Sequence, residues 1–366
     1  MAMDPTMALV NASELLAAGG DQPPQSLPPV NTPRLLLIEM GVEISTADSI
    51  LELAENPGSA HVGEVVDLLE EFFSHPGDVP DVLTRNPAIL ARSADVLRAT
   101  LSYLVEDLGI KHTDVALMVV AHPKVLTYSL SKQIRGISEF IRGFGPGLGE
   151  VGAAVRKHPE VFGIPKEEYK PVVSWLRDQS GIHKPQVGAA LVKHAPLLMA
   201  TVEGVQSNAA WLAARVGLKD RDFGLAATAC PQILTWAPEG VMEPALAHWE
   251  GLGLAPAAVA RLVAWCPHIL GYSVEGTVLP ATRFLTGELG VPEGEVIKIF
   301  EACPHLFGLS VDEKLRVNAE WLVSVGLPRA RLGAAVATHP QVLTHSVEGH
   351  LARVVEFFGA VGVPEG

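Results

Sequence analysis

The hydrophobic pattern of this chain repeats. Cys230-Pro231-Gln232-Ile233-Leu234 is an apolar cluster opened by a proline, and Cys266-Pro267-His268-Ile269-Leu270 is its counterpart. Equivalent blocks begin at Asn86, His122, His158, His194, Cys303 and His339, so eight first residues are separated by steps of 36, 36, 36, 36, 36, 37 and 36. A period held that closely over eight copies predicts a solenoid of stacked units.

Within each unit the pattern predicts three elements. A glycine lies 13 residues before the block in seven units, at Gly109, Gly145, Gly181, Gly217, Gly253, Gly290 and Gly326, and Gly362 opens a ninth. Glycine there should close a helix in the left-handed conformation. The next ten or so residues, such as 221–229, form a first helix. Proline then ends it, because proline lacks an amide hydrogen and disfavours helical geometry in the residue before it. Pro-x-Ile-Leu is too short for an α-helix and suits a 3₁₀ turn. Ser/Thr/Ala-x-Glu-Gly follows as a helix-start signature, and a longer helix runs to the next glycine. The expected fold is therefore an all-α helical-repeat solenoid of eight to nine units of about 36 residues, each helix, 3₁₀ turn and helix. The one extra residue of the 37-residue step is placed most simply around Leu289 to Glu295.

The long helix carries an aromatic–aliphatic pair near its end: Tyr103-Leu104, Phe140-Ile141, Trp175-Leu176, Trp211-Leu212, Phe284-Leu285, Trp321-Leu322 and Phe357-Phe358. Large apolar residues at helical spacing read as core knobs between units rather than as stacking platforms for bases.

The ends of the chain read differently. Residues 1–33 lack periodicity, and Met1-Ala2-Met3-Asp4-Pro5 resembles an expression-vector remnant, so a disordered leader without an Arg/Ser-rich transit character is expected there. Residues 34–85 read as a degenerate, acidic helical cap. Its helix candidates are 45–54 and 62–73, the second with an apolar face of Val62, Val65, Val66, Leu68, Leu69, Phe72 and Phe73. Residues 86–366 are the repeat array.

Charge changes the picture once it is divided. The net charge is −14, yet residues 1–84 carry −13, residues 85–221 carry +6 and residues 222–366 carry −7. A charged partner responds to the local field rather than to the total. Basic residues recur 10 to 14 positions after the block, at the start of the long helices: Arg98, Lys132, Arg135, Lys170, Lys314, Arg316 and Arg353. The helix dipole disfavours a cation there, and a phosphate held jointly by that side chain and the helix amides would supply a reason. The fifth and sixth units lack the residue, and Glu243 stands in its place. The position six after the block varies most in character, through Arg92, Tyr128, Ile164, Ala200, Trp236, Tyr272, Leu309 and His345. It is either a specificity position or a half-buried turn residue.

Catalytic chemistry is not indicated. The block's first position accepts Asn, His or Cys, which describes a helix end, and no nucleophile–base set or phosphate-cradling glycine loop is present. Cys230, Cys266 and Cys303 share that position, about 10 Å apart if units pack like helices, too far for a disulfide or a shared metal. No cofactor and no membrane span is expected.

Pro-x-Ile/Val-Leu, then Ser-x-Glu, then Phe/Trp-Leu-x-x-x-Gly-Leu, resembles the repeat of the mTERF family, the mitochondrial transcription termination factors. The units at His158 and His194 depart from it, through Ile164-Pro165 and through Ala195 in place of proline. The resemblance implies a superhelix whose groove takes double-stranded nucleic acid, a monomer, and a role in terminating or regulating transcription in the mitochondrion or, alternatively, the chloroplast. Heavy use of Ala, Gly, Val and Pro points to a GC-rich nuclear genome such as a green alga's or a plant's. The implied nucleic-acid residues are the seven helix-start cations with Arg92, Tyr128, Tyr272 and His345. A groove along all eight units would span roughly 70 Å, about 20 base pairs. A protein- or RNA-binding scaffold, in organelle gene expression or ribosome assembly, is the other class. The Pumilio RNA-binding fold counts similar units, but its RNA-reading triplets are not evident here.

Overall fold

The computed structural model of the chain describes residues 32–53, 59–218 and 220–360. Residues 1–31 of the expected leader and Gly362 lie outside them, while Thr32 and Pro33 belong to the first described helix, Thr32–Glu39. The described residues form nineteen α-helices joined by 3₁₀ and π turns, with no strand among them. They fall into two compact units, one ending at Leu97 and the other running from Arg98. No helix among the described residues is long and apolar enough to cross a membrane.

In the first compact unit, helices Thr32–Glu39, Ile44–Leu53, Ser59–Phe72 and Asp78–Arg85 precede the turn Pro87–Ala91. Val62, Val65, Val66, Leu68, Leu69 and Phe73 are buried as their spacing predicts, and Phe72 is half-buried. His61 Nε2 lies 2.8 Å from Leu90 O, which fastens helix Ser59–Phe72 to the first Pro-x-Ile-Leu turn.

The second compact unit shows why each repeat folds as it does. The residue before the proline leaves helical geometry: Cys230 has φ −135° and ψ 82°. His194 adopts φ −145° and ψ 77° although Ala195 follows it, so packing imposes the bend where proline is missing. All eight blocks form 3₁₀ turns, among them Pro123–Thr127, Ala195–Met199 and Pro304–Gly308. Serine or threonine then caps the long helix: Ser129, Thr201, Ser273, Ser310 and Ser346 each accept a hydrogen bond from the amide three residues on. Like elements stack on like: first helix Leu148–Lys157 on Lys184–Lys193, and turn Pro159–Gly163 on Ala195–Met199.

Two features depart from the pattern reading. Several long helices open on a π turn, in which Ser129 O accepts from Ile134 N at 3.1 Å and Ser273 O from Val278 N at 3.1 Å. In addition, the residue inserted in the 37-residue step does not lie around Leu289 to Glu295. Gly290 keeps its left-handed conformation, with φ 71°, 13 residues before Cys303. The insertion therefore precedes it, in the long helix that carries π turns at both Val274–Val278 and Phe284–Glu288. A turn bonded from i to i+5 accommodates an extra residue without breaking the helix.

All seven helix-end glycines have positive φ, from 65° at Gly109 to 116° at Gly145, and Gly41 joins them at 90°. At Gly217 an added Cβ would meet only Ala260 Cβ, at 3.9 Å, so substitution there tests backbone conformation rather than clash. Gly217→Ala is expected to cost about 1 kcal/mol in urea denaturation. An unchanged midpoint would refute the left-handed helix end.

Candidate nucleic-acid interface

The structure separates the basic helix-start residues into two groups. Lys132 lies in the opening π turn of its helix and Arg135 begins the α-helical part, Arg135–Arg142. Lys170 projects from helix Lys166–Asp178. All three are exposed, as are Arg98 and Arg353. Among the described residues Lys132, Lys170 and Arg353 have no carboxylate partner. The Arg135 guanidinium lies 4.6 Å from the Tyr103 ring centroid, a stacking that leaves its N–H edge available.

Lys314 and Arg316 are engaged otherwise. Lys314 Nζ donates to the His345 carbonyl at 2.6 Å. Arg316 is half-buried, pairs with Glu288 and, at 3.2 Å, with Asp312, and stands over the Phe284 ring at 5.3 Å. Glu243 occupies the same position of the repeat and does the same work with reversed charge. It and Glu250 each take Arg215 at 2.8 Å. Arg135 on Tyr103, Glu243 on Arg215 and Arg316 on Glu288 are thus three versions of one contact, in which the thirteenth residue after the block reaches the preceding long helix.

The variable sixth position is also a contact between units. A Cβ at Gly163 would lie 2.7 Å from Tyr128 Oη, one at Gly271 2.6 Å from Trp236 Cζ2, and one at Gly308 2.7 Å from Tyr272 Cε1. Where the sixth residue is aromatic, the facing residue of the next turn is glycine. Where it is Ile164, Ala200 or Leu309, the next turn has Met199, Thr235 or Thr344. Tyr128 also lies with its hydroxyl 3.1 Å from His122 Nε2, and burial raises the pKa of both Tyr128 and Tyr272. The His345 ring lies tilted against that of His350, with centroids 4.5 Å apart, and its carbonyl takes Asn318 Nδ2 as well as Lys314. Arg92 ends its 3₁₀ turn half-buried, in the first compact unit.

Residues that pattern reading passed over complete the site. Lys166 joins Lys132, Gln133, Gly136, Phe140 and Tyr169 around a cleft of about 720 Å³ between two successive units. Glu139 and Glu167 also line it, the former paired with Arg142 at 2.9 Å. Buried Asn208 and Asn318 donate to carbonyls at the end of the next unit's turn, Trp236 O at 2.8 Å and Leu343 O at 2.9 Å.

The cysteines are free and buried. Burial pushes the Cys230 thiol up to about 11 and the Cys266 thiol up to about 12, so neither is a thiolate at neutral pH. Among the described residues no group of three His, Cys, Asp or Glu is placed to hold a metal ion.

Comparison with curated proteins yields no match. The family comparison does: mTERF matches residues 33–179, 165–297 and 285–366, together almost the whole described chain. The stacked helix, 3₁₀ turn and long helix, repeated with exposed cations near the starts of several long helices, are in keeping with that match, and the chain belongs to the mTERF family of organelle-associated, nucleic-acid-binding helical-repeat proteins.

Proposed function

We propose that this chain binds double-stranded DNA through exposed cations at the starts of its long helices, as a monomer, and so terminates or regulates transcription in the mitochondrion, with the chloroplast as the alternative address. The observation that carries the reading is that two successive units each expose a lysine with no carboxylate partner among the described residues, Lys132 and Lys170, within the first two turns of the long helix. Phosphates need cations on a continuous surface, and helix-start amides beside them add donors. The +6 charge of residues 85–221 gives that surface a favourable field despite the total of −14.

Fluorescence anisotropy with duplex DNA, duplex RNA and single-stranded DNA tests the proposal. Duplex DNA should bind most tightly, with an affinity that falls as salt rises. Preference for RNA would move the reading to an RNA-binding scaffold. No salt-dependent binding to any of the three would replace it with a protein-binding one.

A further inference from the structure

We infer that the phosphate tract of this chain is short: it lies on the units that begin at His122 and His158, and the helix-start cations of the unit at Cys303 belong to joints between units. This rests on the nucleic-acid reading above and sharpens it.

Four observations converge. First, Lys132 and Lys166 face one cleft of about 720 Å³, and Lys170 stands one helical turn beyond Lys166. Arg135, one helical turn after Lys132, presents its guanidinium edge backed by Tyr103 of the preceding unit. Second, the helix-start cations of the unit at Cys303, Lys314 and Arg316, already have partners. The Lys314 ammonium is on a backbone carbonyl at 2.6 Å, and Arg316 is held between two carboxylates and an aromatic ring. A phosphate could recruit Arg316 only by displacing Glu288 and Asp312, and Lys314 only by breaking its hydrogen bond to the His345 carbonyl. Third, the unit at Cys230 places Glu243 and Glu250 at this level, and their charge exceeds that of the one Arg215 they share. That interrupts any continuous cationic path between the two ends of the array. Fourth, the net charge changes from +6 over residues 85–221 to −7 over residues 222–366.

The geometry sets the ligand's size. Two units advance about 20 Å at ordinary helix-packing distances, which covers about 6 base pairs, half a turn of duplex. The partner is thus a short stretch of duplex phosphate backbone rather than the roughly 20 base pairs that an eight-unit groove would contact. With four cations engaged, the slope of log affinity against log salt should be about −4, whereas all seven helix-start cations would give about −6.

The test is anisotropy on the full chain with random-sequence duplexes of about 12 and about 24 base pairs across a salt series. After correction for the number of sites, the two duplexes should bind within about twofold of each other. The triple variant Lys132→Ala/Lys166→Ala/Lys170→Ala should lower the slope by about 3. Lys314→Ala/Arg316→Ala should leave slope and affinity unchanged while lowering the melting temperature. If that variant folds poorly, Lys314→Ala alone serves for the binding measurement. A slope near −6, tighter binding to the longer duplex beyond the site count, or loss of slope in either Lys314 variant overturns the short tract and leaves the nucleic-acid reading standing. Absence of duplex binding by the parent chain overturns both.

Discussion

Trp249→Ala is expected to destabilise the second compact unit by about 3–5 kcal/mol, the range for deleting a large aromatic from a packed core. Trp249 is 1% exposed. Its ring stacks on Phe300 with centroids 3.5 Å apart and meets Phe307 edge-on at 5.4 Å. Phe300 and Phe307 also touch each other, at 5.5 Å, so the three rings form one cluster across helices Glu243–Gly251 and Glu293–Ala302 and turn Pro304–Gly308. In a repeat array each unit depends on its neighbours for burial, so the loss should spread to both sides of the gap. Trp249→Phe offers the contrast. The indole N–H is buried without a partner among the described residues, so phenylalanine gives up area but removes an unsatisfied donor. Its cost should be about 1 kcal/mol, well below alanine's. Urea denaturation followed by far-ultraviolet circular dichroism measures both. An alanine variant within about 1 kcal/mol of the parent would show that this cluster does not hold the units together.

That cluster also shows what the sequence made legible. His248-Trp249 is the aromatic pair of its unit, yet histidine in the first place breaks the pattern of Phe, Tyr or Trp followed by an aliphatic residue. The elements were readable because each is punctuated by chemistry local to a few residues: proline after the first helix, serine or threonine at the long helix start, glycine in the left-handed conformation at its end. The joints between units were not, because each couples two positions about 30 residues apart that a repeat-by-repeat comparison treats separately. Arg316 reads as a free cation until Glu288, 28 residues before it, is seen to face it. Tyr128 reads as a candidate base-stacking residue until Gly163 is seen beneath it. Lys166 is hidden in the sequence for a different reason. Pro165 occupies the capping position in its unit, so the helix-start register there lacked the serine that marks it elsewhere.

The pairing of aromatic with glycine carries the second large expectation. At the joint between the turns Pro231–Leu234 and Pro267–Gly271, a methyl group on Gly271 would stand 2.6 Å from Trp236 Cζ2 and 2.8 Å from Cζ3. Real side chains do not approach so closely, so Gly271→Ala must push the indole or the turn aside. Overpacking of this kind costs about 1–3 kcal/mol. Trp236→Ala removes the ring instead and leaves part of the joint empty; Trp236 is half-buried, so the loss should be at the lower end of the range for large-to-small changes, about 2–3 kcal/mol. The double variant Trp236→Ala/Gly271→Thr copies the combination that the protein itself uses one joint earlier, where Ala200 faces the turn bearing Thr235. If the two positions form one joint, the double variant should be more stable than the sum of the single changes by about 1–3 kcal/mol, the size of coupling found between residues in contact. Gly271→Thr alone should be the least stable of the set. Strict additivity in the cycle would mean that the sixth position and the facing glycine act independently, and the sixth position would then be open again to the reading in which it contacts a base.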